Sequence, residues 1–293
     1  MEQAVGTMKP LGMVFDVDAL KMPKSSGQIE FQIQDNGMEP ESDQPQTARL
    51  FLMQRRLGLI EPPKDKDWEN AKVMNLMDNE LSVLPENPRC PKLLALFLKG
   101  NYKLRTIPPS FFDYMPSLQI LNSSRTGIKS LLDSLIKLIG LKRLFLNDCH
   151  HFMALLPKVG ELEQLEVLDL EGTEIMDLPQ DIKKLTNLTF LEVSLFGYTS
   201  DGSSDMQSNA VIPCGLISVL SQLEELNVDV NPNDKQWDAC VEGIVTEVYS
   251  LKNLITLKLY FPRMELLSHI LWKIPSLLYF RFTVGCHVNR IIS

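Results

Sequence analysis

Carboxylate side chains are concentrated in the middle of this 293-residue chain. Asp169 and Glu192 lie 23 residues apart, and Glu171 follows Asp169 by two positions. Carboxylates held side by side repel one another, and a partner that brings Lys or Arg relieves this repulsion. The pattern therefore favours binding of a basic protein surface. The candidate contact residues are Lys142, Arg143, Phe145, Glu166, Asp169, Glu171, Glu192, Glu224, Glu225 and Asp229.

Residue types that enzymes use are sparse in this chain. His150 and His151 are adjacent and follow Cys149, but adjacent residues rarely converge on one metal ion, and no second ligand pair has a suitable spacing. A surface loop is the simpler interpretation, with Cys149 packed inward. Neither a Gly-x-x-x-x-Gly-Lys phosphate loop nor a Gly-x-Ser-x-Gly motif occurs. We predict no enzyme activity, no cofactor, and no catalytic or metal-binding residue.

A repeated pattern must position the carboxylates. The clearest copy runs from Leu165 to Leu188: it reads Leu-x-x-Leu-x-Leu, then Ile-x-x-Leu-Pro at Ile175–Pro179, then apolar residues three apart. In a strand, the alternating Leu residues face one side, and the later apolar residues bring the chain back over them. One unit cannot bury its own apolar face, whereas stacked units share a core.

Nine copies of this pattern can be aligned. They begin at Ala71, Leu93, Leu118, Leu141, Leu165, Leu188, Leu223, Leu254 and Leu277, with separations of 22, 25, 23, 24, 23, 35, 31 and 23 residues. Most of these separations lie within the range of leucine-rich repeats. The sequence therefore predicts an α/β fold, a leucine-rich-repeat solenoid of about nine repeats. It would have a parallel concave sheet, with loops and short helices on the convex side.

The two long separations mark insertions. The composition of residues 197–209 predicts a loop. Between Asp234 and Ser250, apolar residues recur four, three and four positions apart, which predicts an amphipathic helix. A second short helix is expected between Met264 and Ile274.

Composition divides the chain into three parts. Residues 1–47 carry no repeat, and residues 22–46 are rich in Pro, Ser, Gln, Asp and Glu, which predicts a mostly disordered segment, although Ile29–Ile33 alternates like one short strand. Residues 48–70 are expected to cap the solenoid, and residues 71–293 to form the repeat domain. Because no polar capping unit follows the last strand, we expect the C-terminal end to be exposed, frayed or truncated relative to a longer parent.

The aligned repeats place outward-facing residues in lateral columns, one strand spacing apart. One column contains Phe97, Asn122, Phe145, Asp169, Glu192, Asn227, Lys258 and Arg281. A second contains Lys99, Ser124, Asn147, Glu171, Ser194, Asp229, Tyr260 and Thr283. The middle of the predicted sheet is acidic, with Lys142 and Arg143 on its N-terminal side and Lys258 and Arg281 on its C-terminal side. Phe145 is a candidate apolar anchor, or it packs on Ile120 or Val167. The alternative is that the charged face is solvated without a selected partner, but solenoids commonly bind their partners on this surface, which favours binding for the face as a whole.

The net charge and the cysteine content indicate which partners and which cellular compartment to expect. The net charge of −8 argues against nucleic acid as a partner. Five cysteines, odd in number and without a Cys-x-x-Cys pair, favour a reduced compartment. The first residues lack a basic start followed by an apolar run, and no apolar stretch is long enough to span a membrane. We therefore predict a cytoplasmic protein.

Part of the chain resembles a known family. The stretch Asp67–Glu80 is similar to the entry into the leucine-rich-repeat domain of plant intracellular disease-resistance proteins of the coiled-coil, nucleotide-binding type. Residues Leu165–Ile175 are similar to repeats of the same receptors. The resemblance extends over residues 49–293. It implies a protein-interaction module of plant defence that senses a pathogen effector or a guarded host protein, or that regulates an immune receptor.

The chain departs from that family in one respect. The nucleotide-binding switch of these receptors precedes the repeats, and its Gly-Lys phosphate loop does not occur here. The resemblance therefore transfers no ATP or ADP binding to this chain. A second hypothesis is a generic scaffold in signalling or in ubiquitin-ligase assembly, which an N-terminal helical domain of F-box type would favour. A third is an enzyme domain within the N-terminal segment, which the missing motifs disfavour.

Overall fold

The computed structural model describes residues 51–195, 212–231, 234–269, 274 and 276–285. Ten parallel strands form one sheet in which every strand pairs with the next in sequence. Their bounds are β1 Phe51–Met53, β2 Val73–Asn75, β3 Ala95–Phe97, β4 Ile120–Asn122, β5 Arg143–Phe145, β6 Val167–Leu170, β7 Phe190–Leu195, β8 Glu225–Val230, β9 Thr256–Phe261 and β10 Tyr279–Val284. This order confirms the predicted solenoid.

The sheet has one strand more than the nine aligned repeats. Strand β1 lies within the predicted cap and pairs with β2, Phe51 opposite Val73. In this register Arg49 and Gln54 stand where the pattern has its first and last apolar residues, which is why the sequence did not reveal the strand. The division at residues 47 and 70 stays a prediction, and residues 1–47 lie outside the described residues, as does the predicted loop at residues 197–209.

Short helices return the chain between strands. They are α1 Asp65–Glu69, α2 Leu216–Val219, α3 Lys235–Val248, and 3-10 helices at Asp133–Lys137, Val159–Glu161, Gln180–Lys184 and Met264–His269. Helix α3 confirms the predicted apolar stripe, because Trp237, Val241, Ile244 and Val248 are all buried. The predicted second helix is a 3-10 helix that begins at Met264. None of the helices in the described part of the chain has the length and apolar character that a membrane crossing needs.

The repeat leucines form one continuous core from Trp68 to Ile274. The turns after β2 to β6 are each closed by a buried side chain that donates to a backbone carbonyl, from Asn79, Asn101, Thr126, Cys149 and Thr173 in turn. Asn101 donates from Nδ2 to the carbonyls of Leu98 (2.6 Å) and Leu76 (2.9 Å), and its Oδ1 accepts from the Leu81 amide at 3.1 Å. Thr173 donates to the Leu170 carbonyl at 2.8 Å, and the Cys149 thiol to that of Ser123 at 3.1 Å. These bonds satisfy backbone groups that the turn would otherwise leave buried without partners.

The last strand is the least buried part of the sheet. Leu278, Tyr279 and Phe280 are 68%, 67% and 54% exposed. Phe280 pairs in register with the buried Leu257 and stacks on Phe282 at 5.1 Å between ring centroids. Apolar side chains therefore reach solvent at this edge.

Candidate protein-binding surface

The strand register confirms the first predicted column. Phe97 lies opposite Asn122, Asn122 opposite Phe145, and the pairing continues through Asp169, Glu192, Asn227, Lys258 and Arg281 without a slip. The second column is confirmed where it is paired, at Ser194 with Asp229 and at Tyr260 with Thr283. Asp169 and Glu192 are thus direct neighbours on β6 and β7.

One lysine reaches into the predicted acidic region. The Lys258 ammonium on β9 lies 3.7 Å from a Glu171 oxygen, 3.8 Å from a Glu192 oxygen and 4.0 Å from an Asp229 oxygen. Glu171 directly follows β6, Glu192 lies within β7, and Asp229 lies near the end of β8. The sequence predicts that Lys258 lies beside the acidic region. In the structure, the long side chain of Lys258 extends from β9 toward β7 and places its ammonium among the carboxylates. We call Asp169, Glu171, Glu192, Asp229 and Lys258 the acidic cluster.

Burial makes two carboxyls in the acidic cluster hard to ionise. Asp169 is 8% exposed, and burial raises its pKa to about 7, with Glu192, Glu171 and Asp148 adding repulsion and the Glu171 amide opposing it. Burial also raises the pKa of Glu192 to about 7; Glu171 adds to this effect and Lys258 opposes it. One lysine does not neutralise the remaining carboxylates, so the surface keeps a negative potential.

The cations on the N-terminal side are paired within the chain. The Lys142 ammonium lies 3.5 Å from a Glu166 oxygen, and the Arg143 guanidinium lies 4.0 Å from the other oxygen. Glu166 remains partly exposed, as does Lys142. These three predicted residues form one small ion-pair group at the border of the acidic cluster, where exposure weakens the attraction.

Two predicted contact residues offer little surface to a partner. Phe145 is 4% exposed and packs in an apolar cluster with Ile120, against which Val167 also lies, so the packing alternative describes it. Glu225 is 4% exposed, and one of its oxygens accepts from Asn227 at 3.0 Å. Glu224 is half-buried just before β8. Side chains of the neighbouring strands surround them. The repeat alignment predicts which residues face outward but does not predict how deeply each is buried.

An apolar group that the sequence pattern did not reveal lies on the same face of the sheet. Its fully buried members stand at outward positions of β2 to β5 or just beyond them. They are Val73, Met77, Ala95, Phe97, Ile120 and Phe145. We call this group the concave apolar cluster. Part of the signal was present in the first column, where Phe97 and Phe145 precede β6 and charged residues follow it; the other members lie outside the two columns.

The positions of the histidines and of Cys149 can be compared with the metal-site and thiol interpretations of the sequence. No group of three His, Cys, Asp or Glu side chains there is arranged to hold a metal ion. The predicted loop position of His150 is seen, with Nδ1 3.1 Å from the Gly172 carbonyl oxygen. Cys149 is buried as predicted, and burial raises the pKa of its thiol.

Comparison with known proteins identifies the repeats. Residues 115–287 match a family model described as a leucine-rich repeat region. The disease resistance protein At4g27190 of Arabidopsis thaliana is 34% identical over 189 residues, which cover 64% of this chain and 18% of that protein. Disease resistance protein RFL1 of the same plant is 32% identical over 152 residues, covering 52% and 15%. The chain spans less than a fifth of the length of these relatives.

Solved structures give the same fold. Internalin C2 of Listeria monocytogenes superposes with a TM-score of 0.54 at 18% identity, covering 75% of this chain and 84% of the internalin. At this identity the likeness concerns the solenoid alone.

Proposed function

We propose that this chain, which belongs to the leucine-rich repeat family, is a non-enzymatic protein-interaction module of plant defence that binds a basic protein surface on its concave face. The observation that carries the proposal is the acidic cluster, in which several carboxylates converge on the single Lys258 ammonium. Similarity to disease resistance proteins supports the defence role. The partner would be a pathogen effector, a guarded host protein or an immune receptor.

The energetics of the acidic cluster favour an incoming cation. Asp169 and Glu192 carry a desolvation cost when they are ionised, which is why the pKa of each lies near 7. A Lys or Arg from a partner would lower this cost, because an opposite charge stabilises the ionised form. The exposed halves of Glu171 and Asp229 are the positions that such a group would meet first.

Charge reversal on the exposed carboxylates tests this function. The full chain, the Glu171→Lys/Asp229→Lys variant and the Glu161→Lys/Glu163→Lys control would each be used for affinity capture from plant lysate. Glu161 and Glu163 are exposed and lie outside the sheet, so the control changes net charge equally. We expect the amount of immune receptor or effector target recovered with the first variant to fall by about tenfold or more. The control should recover as much as the unmodified chain.

Other outcomes would contradict parts of the proposal. Equal recovery by both variants would exclude the acidic cluster as the binding site. Recovery of ubiquitin-ligase subunits in place of immune proteins would favour the scaffold hypothesis.

A further inference from the structure

Lysine and arginine are concentrated in one stretch of the chain and carboxylates in another. Residues 87–132 contain many Lys and Arg but a single acidic residue, Asp113, which pairs with Lys137 at 2.8 Å. Residues 159–182 contain many Asp and Glu and neither Lys nor Arg. Because every strand pairs with the next in sequence, the basic stretch lies on the repeats of β3 and β4, and the acidic stretch lies on the repeat of β6.

Both stretches reach the surface on the side of the solenoid that follows the turns. In each repeat there, two exposed residues stand between two core residues, as Arg105 and Thr106 stand between Leu104 and Ile107. In successive repeats the first exposed position holds Arg105, Lys129, Met153 and Met176, and the second holds Thr106, Ser130, Ala154 and Asp177. We call these eight residues the flank.

Backbone contacts keep neighbouring repeats in register along the flank. Ser130 pairs in parallel with Ala154. One repeat further on, the Glu174 amide donates to the Phe152 carbonyl at 2.9 Å. The flank is therefore a surface of two exposed rows that cross the repeats of β3 to β6, with Glu174 in the last of these repeats.

The charge changes sign along the flank. Arg105 and Lys129 are exposed at one end, and Asp177 is exposed at the other. Met153, in the repeat between them, is 50% exposed, and Met176 is 48% exposed. Within the described part of the chain, no ion pair engages Arg105, Lys129 or Asp177. These charges are therefore available to a second molecule.

We propose that two copies of this chain associate through the flank, with the basic end of each copy against the acidic end of the other. A two-fold interface brings the same surface from both copies together, so that surface must be complementary to itself. The flank meets this condition, because it carries both signs of charge with apolar side chains between them. A partner of one sign would be attracted to one end and repelled by the other. The flank contains no residue of the acidic cluster, so this inference does not depend on the proposed function.

The small width of the flank makes the expected dimer weak. From Arg105 to Asp177 it extends over about three strand spacings, roughly 15 Å. Stable protein pairs usually bury about 800 Å² on each partner, which is more than a surface of this width offers. We therefore expect a Kd of about 10–100 µM at low salt, and dissociation when ions screen the charges.

Sedimentation equilibrium of the full chain tests the self-association. At about 200 µM protein and about 20 mM sodium chloride, we expect a weight-average mass at least about 1.5 times that of the monomer. At about 500 mM sodium chloride we expect the monomer. A monomer at low salt, or a dimer that salt does not weaken, would overturn the proposal.

Charge reversal distinguishes the flank from other dimer interfaces. Arg105→Glu/Lys129→Glu makes both ends acidic, and Glu174→Lys/Asp177→Lys makes both ends basic. Each variant alone should self-associate about tenfold or more weakly, whereas an equimolar mixture of the two should form heterodimers at least as tightly as the unmodified chain. Since these side chains lie at the surface, the urea midpoints of both variants should stay close to that of the unmodified chain.

Two control variants change the net charge by the same amounts outside the flank. Lys64→Glu/Lys66→Glu matches the first variant and Glu161→Lys/Glu163→Lys matches the second, and all four positions are exposed. Both controls should self-associate like the unmodified chain. Loss of association in the controls, its persistence in a flank variant, or a mixture of flank variants that stays monomeric would each contradict the proposed contact.

Discussion

At the scale of single residues, the turns after β2 to β6 each depend on a left-handed backbone position. Asp78, Arg125 and Asp148 have φ between 54° and 58°, and Gly100 and Gly172 have φ of 80° and 65°. These residues fall at equivalent places in successive repeats. A side chain at this position is strained unless it is Gly, Asn or Asp. Glycine therefore relieves the strain at some of these turns, whereas Asp78, Arg125 and Asp148 adopt the same conformation at a cost in conformational energy.

Gly100→Ala should destabilise the chain by about 1–2 kcal/mol. Its φ of +80° is unfavourable for alanine, and the added Cβ would lie 2.5 Å from the Asp78 Oδ1 atom. Gly140→Ala is the control, because no atom lies within 4 Å of the Cβ it would gain. Urea denaturation measures both; equal midpoints for the two variants would contradict the turn argument.

The buried Asp169 carboxyl should make stability depend on pH. Its pKa is about 7 in the folded chain against an ordinary 3.8. Between these values the folded chain holds a proton that the unfolded chain has released, so the free energy of unfolding falls as pH rises. Glu192 acts with the same sign.

Asp169→Asn should therefore show a smaller loss of stability between pH 5 and pH 8 than the unmodified chain, and greater stability at pH 8. The asparagine oxygen can still accept the Glu171 amide, which donates to Asp169 Oδ1 at 3.1 Å. Urea midpoints at the two pH values measure the effect, with the exposed Asp177→Asn as control. A full pH dependence in Asp169→Asn would show that this carboxyl is not its source.

At the scale of elements, neighbouring repeats are joined by a carboxylate between two helices. Glu247 near the end of α3 accepts backbone amides at the start of α2, from Gly215 at 2.5 Å, Ile217 at 2.9 Å and Ser218 at 3.2 Å. These amides have no partner within their own helix. Helix α2 has only four residues, so its position depends on the repeat that follows.

Glu247→Ala should cost about 2–3 kcal/mol, since it removes a charged acceptor and leaves the helix-start amides unpaired. Glu247→Gln should cost less, because its amide oxygen still accepts. The control is Glu242→Ala, an exposed change on the same helix with the same loss of charge. Hydrogen exchange across residues 215–218 reports the contact directly; unchanged protection in Glu247→Ala would refute it.

The elements differ in how far the sequence predicts them. The nine repeat strands and α3 follow from apolar periodicity, because burial of leucines at fixed spacing is a local signal. Strand β1 did not follow, since Gln54 stands at the place of the last leucine of the pattern. The columns were predicted correctly because register depends on aligned leucines. The contacts of Lys258 depend on the direction in which its long side chain extends, and the burial of Phe145 depends on the side chains packed around it. The spacing of residues in the sequence reveals neither.

At the scale of the whole molecule, the concave face is divided in two. Apolar side chains on β2 to β5 form a buried half, and the acidic cluster on β6 to β9 forms a charged half that is partly open. One continuous core of stacked repeats supports both, so each half is a rigid arrangement of strands. Rigid presentation lowers the entropy that a partner must lose on binding.

The central claim is that a partner binds on the acidic half, and carboxyl footprinting of the captured complex tests it most directly. A carbodiimide with an amine label modifies exposed carboxylates, and mass spectrometry compares the free and the bound chain at each position. We expect Glu171 and Asp229 to lose most of their reactivity in the complex, while Glu161 and Glu163 keep theirs. Protection of Glu161 and Glu163 with unchanged labelling of Glu171 and Asp229 would place the partner on another surface and contradict the claim.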